Sequence, residues 1–114
     1  MKHTSEACKQ AQRAIRDTLD VVGGKWKLML LVILRDGKMR FNQLSREAGI
    51  SPRILSKELE ELQLNGLVRR EVQNTKPVTV EYSLTPYSET LDGVLDALEQ
   101  WGVYHRNYII NQTK

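Results

Sequence analysis

Cysteine occurs once in this sequence, at Cys8, so no disulfide can close within a single chain and no multi-thiolate metal site can be assembled from it. Long apolar runs are missing too. The longest, Leu28 to Leu34, falls far short of the roughly 20 residues that span a bilayer, so no membrane partner is expected. The opening stretch "MKHTSEACKQ" lacks the apolar segment of a secretory signal, which leaves a cytoplasmic location as the expectation. No repeat, low-complexity tract or long linker divides the chain. His3, His105 and Cys8 have no spacing that puts two of them on one helical face, so no metal site is read from them. "GGK" at 23–25 has a phosphate loop's letters without its context, because no strand leads in and Trp26 stands where a hydroxyl residue would be. No nucleophile, base and orienting group form a recognisable set, so neither an enzyme nor a cofactor is expected.

What remains is a chain of 114 residues, 40% of them hydrophobic, enough for one modest core and hence a single domain over 1–114. Its net charge of +3 and pI of about 9.1 admit nucleic acid or an acidic surface as partner. The charge is unevenly placed. Lys38, Arg40, Arg46, Arg53, Lys57, Arg69, Arg70 and Lys76 crowd the middle, whereas Glu89, Asp92, Asp96 and Glu99 make the last third more acidic.

Apolar spacing predicts a first helix over about Gln10 to Val22, with Ala14, Ile15, Leu19 and Val22 inward and Gly23-Gly24 ending it. Residues 1–9 are then an N-terminal arm. Trp26 to Leu34 is apolar on nearly every side and should be the buried central helix, closed by "RDGK" with Gly37 in the left-handed position. A short third helix follows, with Asn42 as N-cap and Leu44 and Ala48 inward. Ser51 as N-cap and Pro52 at the first position open a fourth helix, and Ile50 and Leu55 have the spacing of a hydrophobic staple.

On that fourth helix Leu55, Leu59 and Leu62 define the buried face, so Arg53, Ser56, Lys57 and Glu60 point the other way. Gly66 stops it. Alternation at Val68, Arg70, Val72 and at Val80, Tyr82, Leu84 predicts an antiparallel hairpin around "NTKPVT" carrying Arg69, Arg70, Asn74 and Lys76. Thr85 and Pro86 cap a long last helix, 86–110, with Leu91, Val94, Leu98, Trp101, His105 and Tyr108 recurring at steps of three and four. The fold class is mainly α with a small antiparallel β-hairpin.

A helix held by leucines on one side and offering Arg, Ser and Lys on the other suits the major groove of double-stranded DNA, which admits an α-helix. Arg53 can donate two bonds to guanine, Ser56 or Lys57 can reach bases or phosphates, and Glu60 can accept from cytosine or exclude wrong sequences. Arg40, Asn42, Ser51 and Pro52 stand beside this set, and the basic hairpin extends the footprint. The alternative is that these charges are an ordinary solvated face, or that the module binds protein and not DNA. The apolar band from Leu91 to Ile110 is wider than a small domain can cover, which predicts burial by a symmetric second copy; otherwise Leu91, Val94, Leu98 and Trp101 cover the chain's own core.

The stretches "LDVVGGKWKLMLLVIL", "RFNQLSREAGISPRILSKELEELQLNGLVRREV", "VEYSLTPYSETL" and "LDALEQWG" resemble the HxlR-type family of winged helix-turn-helix transcriptional regulators, related in fold to the MarR group. The similarity covers about Asp17 to Gly102. It implies a homodimeric regulator that uses its terminal helices to pair, with helix-turn-helix and wing over 39–84, Pro52, Arg53, Ser56 and Lys57 on the recognition helix, and Asn74 to Val78 as the wing tip. Regulators of this kind often sense electrophiles or oxidants through a cysteine near the first helix. Here Arg13 stands at about that place and Cys8 lies upstream, at the expected start of the helix near Lys9 and Arg13, so sensor and ordinary thiol both stay open. A small-molecule effector would enter between the last helix and the core, near Trp26, Trp101 or Tyr104.

Overall fold

The computed structural model describes residues 5–112. Among the described residues, five α-helices and three strands follow one another: α1 Ser5–Val22, α2 Lys27–Leu34, β1 Met39–Arg40, α3 Phe41–Ala48, α4 Pro52–Leu64, β2 Val68–Gln73, β3 Thr79–Leu84 and α5 Asp92–Gln112. A 3-10 turn over Pro86–Leu91 leads into α5. The architecture is mainly helical with a small antiparallel sheet, and Leu30, Leu31, Leu34, Leu44, Leu55, Leu59, Leu62, Leu67, Val68, Tyr82 and Leu95 form one core.

Local chemistry accounts for the helix-turn-helix. Gly49 adopts φ +69°, and its N–H and that of Ile50 both donate to the Ser45 carbonyl, closing α3. The Ser45 hydroxyl donates to the Ile50 carbonyl at 2.7 Å. Two residues later the Ser51 hydroxyl accepts from the Ile54 N–H at 3.3 Å and Pro52 takes the first helical position, as expected. Leu55, Leu59 and Leu62 are all buried beneath α4, and Gly66 at φ +74° turns the chain into β2.

Several expectations need correction. Helix α1 begins at Ser5, so the described part of the supposed arm, residues 5–9, is helical. Its inward stripe is not inward: Ile15 and Leu19 are each 60% exposed, Ala14 is exposed, and only Val22 is buried. The C-terminal end of α1 packs against the body through Val21 and Val22, and the rest of the helix stays uncovered among the described residues. Helix α2 is not covered all round, since Met29 and Val32 are exposed while Lys27, a charged residue, is buried. Asn42 does not cap α3; the N-cap is Arg40, with no side-chain bond. The hairpin is part of a three-stranded sheet ordered β1-β3-β2, in which Met39 pairs with Tyr82 and Val68 with Leu84. β1 is only two residues long, too short to show alternation in sequence. The last helix starts as the 3-10 turn, where Thr85 accepts from the Ser88 N–H, and becomes α-helical at Asp92. Within α5 the residue that enters the core is Leu95, which the three-four series omitted.

Candidate nucleic-acid interface

The leucines beneath α4 leave Pro52, Arg53, Ser56, Lys57 and Glu60 on its exposed side. Among the described residues Arg53 has no ion-pair partner, so its guanidinium is free to meet a ligand. Lys57 is weakly engaged, with Nζ 3.9 Å from Glu61 Oε2 one turn on. Ser51 is committed to its cap and offers its backbone more than its hydroxyl.

A groove of about 760 Å³ opens between α3 and the sheet, lined by Arg40, Asn42, Gln43, Arg46, Glu47, Thr79 and Val80 among others. The first N–H groups of α3 have no side-chain cap here; Arg40 stands at that N-terminus and Arg46 lines the same groove from the last turn of the helix. Gln43 and Arg46 were not singled out from sequence. Their signal was available: Arg40, Gln43 and Arg46 recur at steps of three, one polar side of a two-turn helix. A second depression continues from Arg40 and Thr79 to Gln73, Thr75, Lys76 and Pro77 at the wing, so Arg40 stands between helix-turn-helix and wing. Glu81 also lines this depression, and it holds Lys38 with Nζ 3.4 Å from Oε1.

The sheet separates the two wing arginines. Residues directly paired across antiparallel strands share a face, and Arg70 pairs with buried Tyr82, whereas Arg69 pairs with Ser83. Arg70 therefore lies on the helix side, exposed and, among the described residues, without an ion-pair partner. Arg69 faces the other way, 3.8 Å from Glu71, in a depression shared with Arg35, Glu89 and Asp92 at the base of α5. The structure does not bring Arg69 together with the α4 set.

Helix α4 and the body are fastened by charge. Lys27, from the first turn of α2, places Nζ 3.2 Å from both oxygens of buried Glu58 and also donates to Glu61 Oε1. Burial alone would lower the Lys27 pKa, but its hydrogen bonds to Glu61 and Glu58, with their charges, outweigh that and raise it above the ordinary 10.5. The Lys27 hydrogen bond pulls Glu61 below its ordinary 4.5 against a smaller effect of burial, with the Lys27 and Lys57 charges adding to the pull. Sequence periodicity could not identify this triad, because it joins residues 31 and 34 positions apart.

The residues assigned to pairing of two copies lie along α5, except Leu91, which ends the 3-10 turn before it. Val94, Leu98, Trp101 and Tyr108 are exposed, His105 stacks on Trp101 with ring centroids 4.8 Å apart, and Leu91 is half-buried against the core. An apolar groove lies between α2 and α5, lined by Leu28, Met29, Val32, Ile33, Leu95, Leu98 and Glu99. Trp26, Trp101 and Tyr104, expected around an effector, do not line it. Cys8 is exposed in the first turns of α1, its Sγ accepting from Gln12 Nε2 at 3.2 Å. His3 lies outside the described residues.

A leucine-anchored helix, its preceding helix and a flanking strand pair define a winged helix-turn-helix protein. The profile of the HxlR-like helix-turn-helix family matches residues 21–109. The chain is 39% identical over 106 residues to the helix-turn-helix-type transcriptional regulator YtcD of Bacillus subtilis (strain 168), covering 92% of this chain and 84% of that one. Its fold is similar to the solved structure of the redox regulator HypR in its reduced form, with a TM-score of 0.79, 40% identity, and coverage of 86% of this chain and 98% of that one. The oxidised form of HypR gives 0.76, 42% identity, and coverage of 80% and 95%. The chain belongs to the HxlR-like helix-turn-helix family of transcriptional regulators. Among the described residues, no helix is long and apolar enough to cross a membrane.

Proposed function

We propose that this regulator binds double-stranded DNA sequence-specifically, as a homodimer on a pseudo-palindromic site. One observation carries the reading: α4 is pinned by Leu55, Leu59 and Leu62 so that Arg53, Ser56 and Lys57 are presented outward, with the Arg40 groove and the wing alongside. Arg53 and Ser56 would read base edges in the major groove. Arg40, Asn42, Arg70, Asn74 and Lys76 would hold phosphates, and Gln43 and Arg46 join them from α3. Arg69, turned toward Glu89 and Asp92, is left out of this set.

Pairing of two copies is supported by shape. The radius of gyration is 17.4 Å, against about 13 Å for a compact chain of this length, because α1 and α5 stand away from the core with apolar sides uncovered. Burying Leu98, Trp101 and Tyr108 against a second copy removes that exposure and sets two α4 helices about one helical turn of DNA, roughly 34 Å, apart. The similarity to HypR supports an oxidant response, for which Cys8 is the thiol this chain offers, in the cytoplasm where DNA is met.

The test is selection of bound duplexes from a random pool at low salt. An enriched motif with two-fold symmetry is expected, and recovery of unselected sequence would favour a winged-helix module that binds protein instead. Arg53→Ala should relax preference at one base position of each half-site, while Lys76→Ala should weaken all duplexes alike.

A further inference from the structure

A line of four charged side chains runs from inside the protein to the face assigned above to DNA. Glu58, only 6% exposed, lies at its inner end under α4. Lys27 Nζ touches Glu58 and Glu61 together, and the second oxygen of Glu61 stands 3.9 Å from Lys57 Nζ, the exposed end. Helix α4 itself holds two cations, Arg53 and Lys57, against three acids, Glu58, Glu60 and Glu61. A helix that must approach phosphates therefore carries an excess of negative charge, and the cation that offsets it comes from α2, a different element.

Glu61 is the shared group. Its Oε1 is taken by Lys27, and the distance from its Oε2 to Lys57 is long for a charge-assisted bond, so the exposed lysine is only loosely held. Without the Lys27 ammonium the full charge of Glu61 would act on Lys57 and draw that ammonium into a closer ion pair, away from the duplex.

We propose that Lys27 is a positioning residue for DNA binding: it neutralises Glu58 and Glu61 from within and so leaves the Lys57 ammonium free to meet the duplex. This rests on the DNA-binding reading of α4. Lys27 itself never reaches the nucleic acid, because it is buried. Its effect is read through Lys57.

The experiment measures affinity of the full chain for a duplex selected by the wild type, across a range of salt concentrations, for Lys27→Met, Lys57→Met, Glu61→Gln and their pairwise combinations. Lys27→Met should weaken binding by about three- to ten-fold and reduce the salt slope by about one per protomer, the signature of one lost phosphate contact. Lys57→Met should do the same, the Lys27→Met/Lys57→Met pair should lose little more, and Glu61→Gln in the Lys27→Met background should restore affinity and slope. An unchanged salt slope in Lys27→Met, additive losses with Lys57→Met, or no rescue by Glu61→Gln would overturn the proposal. If Lys27→Met does not fold, Glu61→Gln alone decides: it should strengthen binding when Lys57 is present and not in Lys57→Met, and equal effects in both backgrounds overturn the proposal. A wild type that binds no duplex overturns the DNA reading and this inference together, whereas wild-type binding with a silent Lys27 overturns this inference alone.

Discussion

Arg35, where α2 ends, donates from Nη2 to Asp96 Oδ1 on α5 at 3.1 Å, a bond across 61 positions of sequence. Asp92, one turn earlier, stands 3.9 Å from Arg35 Nε. The two acids are on successive turns of α5, so one arginine sets the direction in which the helix leaves the core. That direction fixes where a second copy would be carried.

Arg35→Ala should lower stability by no more than about 1 kcal/mol, since all three side chains are partly solvated. The larger effect falls on geometry: sites selected by Arg35→Ala should tolerate more than one half-site spacing. Comparing enriched motifs from wild type and variant checks this, and the exchange Arg35→Asp with Asp96→Arg should regain part of the preference.

Leu59 is 1% exposed and contributes to the face that seats α4. Leu59→Ala should destabilise the fold by about 3 kcal/mol, and Ser56→Ala, within one helical turn of it but exposed, by less than about 0.5 kcal/mol. Urea unfolding at fixed protein concentration measures both.

The Lys27 triad gives a pH dependence whose sign is set by its two shifts. Glu61 is lowered in the folded state, so its stabilisation is present above the ordinary 4.5 and lost as pH falls below that value. Lys27 is raised, so its contribution persists up to the ordinary 10.5 and is lost as pH rises beyond it. At neutral pH Lys27→Met should cost about 3 kcal/mol, because Glu58 is left buried and unpaired. The gap to wild type should narrow as pH falls below about 4.5, and Lys27→Met/Glu58→Leu should recover much of the loss. Urea midpoints from neutral to acid pH would show either trend.

Leu98, 50% exposed on α5, should lie within the surface joining two copies. Leu98→Glu is expected to give monomers in sedimentation at micromolar protein, while Val78→Glu, on the exposed wing loop, leaves assembly unchanged. An unchanged dimer in Leu98→Glu would move the interface away from α5.

Elements whose two sides differ in polarity were readable from the chain. Ser51, Pro52, Leu55, Leu59 and Leu62 specify the start, the direction and the seated side of α4, because capping chemistry and the 3.6-residue period act within one helix. Tyr82 and Leu84 likewise announced β3, but the partner strand Met39–Arg40 is too short to carry a period. For the candidate site, Arg53, Ser56 and Lys57 were legible as an exposed set, whereas the separation of Arg69 from Arg70 required the strand register.

By itself, then, the amino-acid order determined which residues of each helix are apolar, where α4 begins and where α3 and α4 end, since those depend on near neighbours along the backbone. Only tertiary structure decided which apolar sides are covered: Leu59 meets the core, whereas Ile15, with equal reason to be inside, stays 60% exposed. It also decided that Lys27, within an otherwise apolar helix, would serve two glutamates on another. Hydrophobicity and charge are properties of a residue, but burial and pairing depend on what other parts of the chain bring to the same place.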